Sequence, residues 1–418
     1  MKLQIMWLAL AMLAGLSARA AEPLQECHAR TGLPNVFAKL QAGGEVRVAY
    51  LGGSITDAEG WRVLSRQWLA AQYPQAQVRE IRATICGTGA ELGACRLTHD
   101  VLQFKPDLLF VEFAVNGAGN SRRPIQTMEG IIRQTWRLDP ATDICFVYTI
   151  NSGMLPAFQA DKLPALQVQM ERVAEHYQVP SLNFGVEVAR QVQAGRLVFQ
   201  APTAHHENKT VFSADGVHPF AETGHKLYLD AILRAAPALK KVGQPGPHAL
   251  PEPLDAANWG RAALVPLEQI QKSDGWKLAT SPSDAWAAAV EKKHLPSLWK
   301  AEQPGQSLTF KFRGTCCGLV GLRGPDAGQF RVTVDDGTPV NGTLFDHYAK
   351  ANTWRIQPWF YSGDLKNGEH RVRLEFLAEP PDKAGILKKQ HKTMDKPEAF
   401  TENRLYLGGV LLAGELIP

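Results

Sequence analysis

Residues 48–61 read VAYLGGSITDAEGW. An apolar run, Val48 to Leu51, stops at two glycines, and Ser54 follows at once, before a segment that reads as a helix start. Such a join is the strand-to-helix turn of an open α/β sheet. Its glycines allow a tight turn and a close backbone approach, and its ligand crevice lies beyond the carboxyl ends of the strands. Ser54 would sit at that crevice, near helix N–H groups that favour negative charge. Those features suit an attacking serine, and they equally suit a helix-capping one. The nucleophile elbow G-x-S-x-G is excluded, because Thr56 stands where its last glycine would be.

Working outward, residues 45–236 alternate between strand-like and helix-like segments. Apolar strands are predicted at 46–51, 78–83, 107–114, 143–150 and 179–184. Helical periodicity falls at 61–73, 130–138, 163–177 and 221–235. Strand–helix alternation with short connections implies a mostly parallel sheet with helices on both faces. Residues 237–262 hold five prolines and no clean period, which reads as a linker or a wrapping connector. Beyond it, 263–418 breaks into short alternating segments separated by turn signals such as DDG and KNGE. That pattern predicts a β-sandwich.

The N-terminus, MKLQIMWLALAMLAGLSARA, joins an early lysine, a short apolar stretch and Ala18-Arg19-Ala20. This is the pattern of a cleaved secretory signal over residues 1–20, with a secreted or periplasmic product starting at 21. The net charge of +4, without a run of five like charges, gives no reason to expect nucleic acid or an anionic membrane surface. Six cysteines remain after the leader: Cys27, Cys86, Cys95, Cys145, Cys316 and Cys317. Cys86 and Cys95 form the nearest candidate pair for a disulfide. The adjacent Cys316 and Cys317 would point to opposite faces of a strand.

Far downstream, FSADGVHPF places Asp215 and His218 three apart, in a turn-rich stretch before a helical pattern. One loop can then present both side chains to the crevice. The carboxylate orients the imidazole, and the imidazole deprotonates the serine. In sequence order, GGSIT, ATICGTGAELG (83–93), FVEFAVNGAG (110–119) and DGVHP (215–219) resemble the conserved blocks of the SGNH, or GDSL, hydrolases. The resemblance spans about half the chain. It implies a three-layer α/β/α, flavodoxin-like domain over 21–236, acting by ester hydrolysis through an acyl-enzyme with no metal or cofactor. It also implies roles: Ser54 as nucleophile, His218 as base, Asp215 as its partner, and Ser54, Gly87 and Asn116 as oxyanion donors. The chain departs from the family at Gly53, where aspartate is usual, at Gly117, and at Arg82, where asparagine is common.

Glu112, inside an apolar run, needs buried partners and is read as a support for the site. His205 and His206 read as a solvated loop, and His225 as a helix residue outside the chemistry. Arg82 is a candidate contact for an acidic sugar or a surface ion pair. Trp354, Trp359 and Tyr361 are candidates for stacking on sugar rings or for the sandwich core. The second domain is similar to jelly-roll modules attached to carbohydrate enzymes, and is expected to place substrate without supplying reacting groups. Together these features point to an acetyl ester on a polysaccharide as substrate. The alternatives are a broad short-chain esterase or lysophospholipase, and, in another class, a non-catalytic carbohydrate-binding adhesin.

Overall fold

A computed structural model describes residues 24–117, 122–280, 294–363 and 365–418. The leader 1–20 lies outside the described residues. The first sheet has six strands: β1 (Cys27–His28), β2 (Gly44–Gly52), β3 (Ala76–Thr84), β4 (Leu108–Glu112), β5 (Asp143–Tyr148) and β6 (Ser181–Asn183). Their order is β1-β6-β5-β4-β2-β3, with every pair parallel except β1–β6. β4 and β5 are buried at every position, as strands covered on both faces must be.

Side chains alternate between two cores. Val46, Val48, Tyr50, Phe110 and Cys145 face one core. Helices Pro34–Ala42, Trp61–Gln72, Gly185–Gln193 and Gly224–Lys241 cover it. Trp61 is its centre, in edge contact with Tyr50, Phe110 and Phe184. Ala49, Leu51, Leu109, Val111 and Phe146 face the other core. That core is covered by helices Ala90–Asp100, Arg123–Leu138 and Ala165–His176.

The last helix of the first domain runs through Pro237 to Lys241, so the boundary expected at 236 falls inside a helix. The chain after it wraps the domain as an ordered strap. Asn35 Nδ2 donates to the Gly246 carbonyl at 2.9 Å, and His248 Nε2 lies 2.8 Å from Asp143 Oδ1. The buried Glu129 carboxylate accepts the N–H groups of Leu254 and Asp255 at 2.5 and 2.9 Å. Trp259 then enters the second core over Gly130, where a Cβ would sit 2.6 Å from the Trp259 backbone.

Among the described residues, the second domain is an antiparallel sheet of ten strands. Its spine is the long strand Ser307–Arg323, paired with Leu405–Ile417 on one side and with Gly368–Phe376, then Arg355–Phe360, on the other. Register shifts between Gly314 and Cys316, and this bulge swaps the faces of the spine. Before it, Leu308, Phe310 and Phe312 point into the domain's own core; after it, Cys317 and Leu319 do. Cys316, Val320 and Leu322 instead join the core of the first domain, with Leu411 and Ala413 from the neighbouring strand. The two adjacent cysteines therefore serve two different cores.

All six thiols are free, which corrects the expected Cys86–Cys95 pair. Cys86 is exposed in the loop after β3, whereas Cys95 is buried in helix Ala90–Asp100 with its thiol toward the Leu412 carbonyl.

Candidate active site

The site lies at the carboxyl ends of β2, β3 and β4. Ser54 opens a single helical turn, Ser54–Asp57, directly after β2. Its Oγ is 2.8 Å from His218 Nε2, and His218 Nδ1 is 2.6 Å from Asp215 Oδ2. Asp215 Oδ1 accepts from Ser213 Oγ at 3.1 Å and from the N–H groups of Val217 and His218 at 2.9 and 2.8 Å. Partial burial pushes the Asp215 carboxyl up, but the bonds from the His218 ring and those two N–H groups outweigh it. They hold the group well below the usual carboxylate range. An aspartate so held stays ionised and fixes the ring nitrogen that faces it, leaving Nε2 to the serine.

Gly87 follows β3 with φ +70°, a left-handed conformation that glycine adopts without strain. Asn116 follows β4, and its amide lies against Gly53. A Cβ on Gly53 would be 2.6 Å from Asn116 Oδ1. This gives a physical reason for glycine where the resembled family carries a side chain. The structure thus brings Ser54, His218, Asp215, Gly53 and Asn116 into one constellation at three loop ends, with Gly87 on the neighbouring strand end.

Beneath it, Glu112 is fully buried. Its carboxylate accepts from Thr56 Oγ1 at 2.8 Å and Thr149 Oγ1 at 2.7 Å, and from the N–H groups of Gly53 and Ala114. Burial raises its pKa, against the pull of those donors. One side chain thereby ties the nucleophile turn to the ends of β4 and β5. His225 is buried as well, with Nδ1 accepting from the Trp61 N–H at 3.2 Å. Burial, then the nearby His218, lowers its pKa to about 4. His205 and His206 form a short exposed strand away from these groups.

Next to the nucleophile turn opens a crevice of about 1060 Å³ between the two domains. Asp57, Arg82, Cys86 and His99 line one wall, and Trp354 and Arg355 the other. Arg82 lies in it, but its guanidinium is engaged, with Nη2 2.6 Å from Asp57 Oδ1. Of the three aromatic candidates only Trp354 reaches the crevice, with Nε1 donating to Asp326 Oδ1 at 2.7 Å. Trp359 and Tyr361 pack on the second domain's own core, Trp359 edge-on to Phe330 at 5.1 Å. Of the two readings the sequence left open for these rings, the structure places them on the sandwich core. The sequence reading missed Asp57, which binds Arg82, Thr84 and the Cys86 thiol together. Its position at the end of a four-residue turn carries no periodic signal.

Residues 50–227 match the model of the GDSL-like lipase/acylhydrolase family. That segment is similar to the acylhydrolases of this family. No curated protein matches the chain in sequence. The two-domain architecture is similar to that of a two-domain esterase (CEX) active on acetylated mannans, co-crystallised with mannopentaose. The TM-score is 0.71 at 20% identity, over 93% of this chain and 97% of that one. A second crystal structure of a two-domain esterase (CEX) active on acetylated mannans gives 0.72, with the same identity and coverage. At that identity the likeness establishes the shared fold, including the second domain.

Proposed function

We propose that this protein is an exported serine esterase that removes acetyl groups from a polysaccharide. The observation that carries the reading is the chain Ser54 Oγ–His218 Nε2–His218 Nδ1–Asp215 Oδ2, at 2.8 and 2.6 Å. His218 takes the serine proton as Ser54 attacks the ester carbonyl. The C–O bond to the sugar breaks as His218 returns that proton to the leaving alcohol. Water then attacks the acetyl-enzyme by the same route, releasing acetate. The N–H groups of Ser54 and Gly87 and the side-chain amide of Asn116 are the oxyanion donors in this reading. Donors so placed are worth roughly 10²–10³ in rate each.

The crevice beside the nucleophile turn mixes Asp57, Arg82, His99 and Arg355 with Ile81, Ile85, Phe104 and Ile356. Its Trp354 supports a carbohydrate, since an aromatic face suits a sugar ring. The signal-like leader supports export, and the CEX esterase of the same architecture acts on acetylated mannans.

The test is acetate release from acetylated mannan, xylan and pectin by wild type, Ser54→Ala, His218→Ala and Asp215→Asn. The wild type is expected to release acetate from at least one glycan and from an aryl acetate. Ser54→Ala is expected to lose turnover with its circular dichroism unchanged. A folded Ser54→Ala protein with wild-type turnover would overturn the mechanism.

A further inference from the structure

We propose that Gln357, a residue of the second domain, is a positioning residue for the oxyanion donor Gly87. The inference rests on the reading above, in which the Gly87 N–H meets the developing oxyanion.

Gln357 lies in the strand Arg355–Phe360, paired across from Gly321 on the spine of the second sheet. It is buried, and its Nε2 donates to the carbonyl of Cys86 at 3.3 Å. The contact crosses the domain boundary and reaches the loop after β3. A Cβ built on Gly87 would stand 3.2 Å from the same Nε2, so the amide lies over this turn of backbone.

The Cys86 carbonyl and the Gly87 N–H are the two ends of one peptide plane. That plane is rigid and trans, so its C=O and N–H point in opposite directions. Holding the oxygen from the second domain fixes the direction of the hydrogen on the other side. Donation into the carbonyl also polarises the plane and makes its N–H a stronger donor. The plane needs holding, because it lies in an exposed loop and leads into a left-handed glycine. Its second restraint comes from the first domain, where Cys86 Sγ donates to Asp57 Oδ2 at 3.4 Å. Asp57 closes the turn that begins with Ser54. The nucleophile turn and the oxyanion peptide are thus clamped to each other from one side and to the second domain from the other.

Gln357→Met keeps the length and volume of the side chain and removes the donor. Gln357→Glu keeps the shape and turns an acceptor toward the carbonyl. Both are assayed on an aryl acetate, which is too small to need a glycan subsite. Rates are expressed per site titrated to the endpoint with a fluorophosphonate, so unfolded protein does not count. Gln357→Met is expected to lower kcat roughly tenfold, the worth of one hydrogen bond, with KM unchanged. Gln357→Glu is expected to lower it at least as far. Affinity for a phenylboronic acid, whose tetrahedral adduct mimics the oxyanion, is expected to fall by the same factor. Wild-type kcat on the aryl acetate in Gln357→Met, with a loss confined to acetylated glycan, would overturn the proposal and make Gln357 a sugar contact. Unchanged boronate affinity would overturn it too. Ser54→Ala run alongside separates the two levels. If it retains turnover, the triad reading fails; if it is inactive while Gln357→Met is fully active, only the positioning role fails.

Discussion

Acidification is expected to destabilise the esterase domain through His225. This imidazole is 1% exposed, and its Nδ1 lone pair accepts the Trp61 N–H. The ring lies against Gly60, where a Cβ would be 2.1 Å from Cγ. A proton on Nδ1 would break the bond to Trp61 and set two N–H groups against each other. Burial and the neighbouring His218 hold the folded pKa near 4, against about 6.5 in the unfolded chain. Between those values the unfolded chain binds a proton that the folded chain refuses. Stability is therefore complete above about pH 6.5 and is lost as pH falls through the folded value near 4. About 2.5 pH units at ~1.4 kcal/mol each come to roughly 3 kcal/mol, a large share of a typical domain's stability. The assay is urea unfolding at half-unit steps from pH 8 to pH 4, for wild type and His225→Asn. The asparagine oxygen replaces Nδ1 as acceptor and does not titrate. Its smaller volume lowers stability at neutral pH, while its pH slope is shallower. The gap between the two proteins is expected to close by roughly 3 kcal/mol as pH falls. A gap that stays constant across the range would refute the reasoning, since carboxylates common to both proteins cancel in the difference.

Gly53→Ala is expected to lower kcat by displacing the Asn116 amide, which its Cβ would approach to 2.6 Å. In an Asn116→Ala background, itself expected to be down roughly 10²–10³, the same change should cost little; equal losses in both backgrounds would disconnect the two residues. Glu112→Gln is expected to destabilise by about 2–3 kcal/mol in chemical unfolding, because an amide nitrogen must face buried donors that a carboxylate accepts. Truncation after residue 245 removes Trp259, Val320, Leu322 and Leu411 from a core they share with the first domain. At ~2 kcal/mol for each large apolar side chain, the truncated chain is expected to be insoluble or molten by near-UV circular dichroism; a folded, active fragment would contradict this.

The strands of the first sheet were legible because fully buried parallel strands are unbroken apolar runs: β4 and β5 fall inside 107–114 and 143–150. The meeting of Ser54, His218 and Asp215 was legible because short turns fix what their loops present. Helix Ala90–Asp100 was not. Its residues from Ala90 to Leu97 are nearly all buried, so it has no polar stripe to set a period. Trp359 and Tyr361 stayed between two readings because an aromatic on a strand reads the same whether its face meets sugar or core. Gln357 carried no signal, since its partner Cys86 is distant in sequence and the bond exists only once two domains have docked.

That buried helix also bears on how the molecule comes apart. A helix enclosed by the first sheet on one side and the second domain on the other cannot leave either without opening both. What looks in the sequence like a catalytic unit with an appended module should therefore melt as one calorimetric transition, with matching van't Hoff and calorimetric enthalpies. Amides of helix Ala90–Asp100 should exchange only through global unfolding. A chain emerging from synthesis holds this helix early and its cover last, so its apolar surface stays open until the final strand, Leu405–Ile417, has paired.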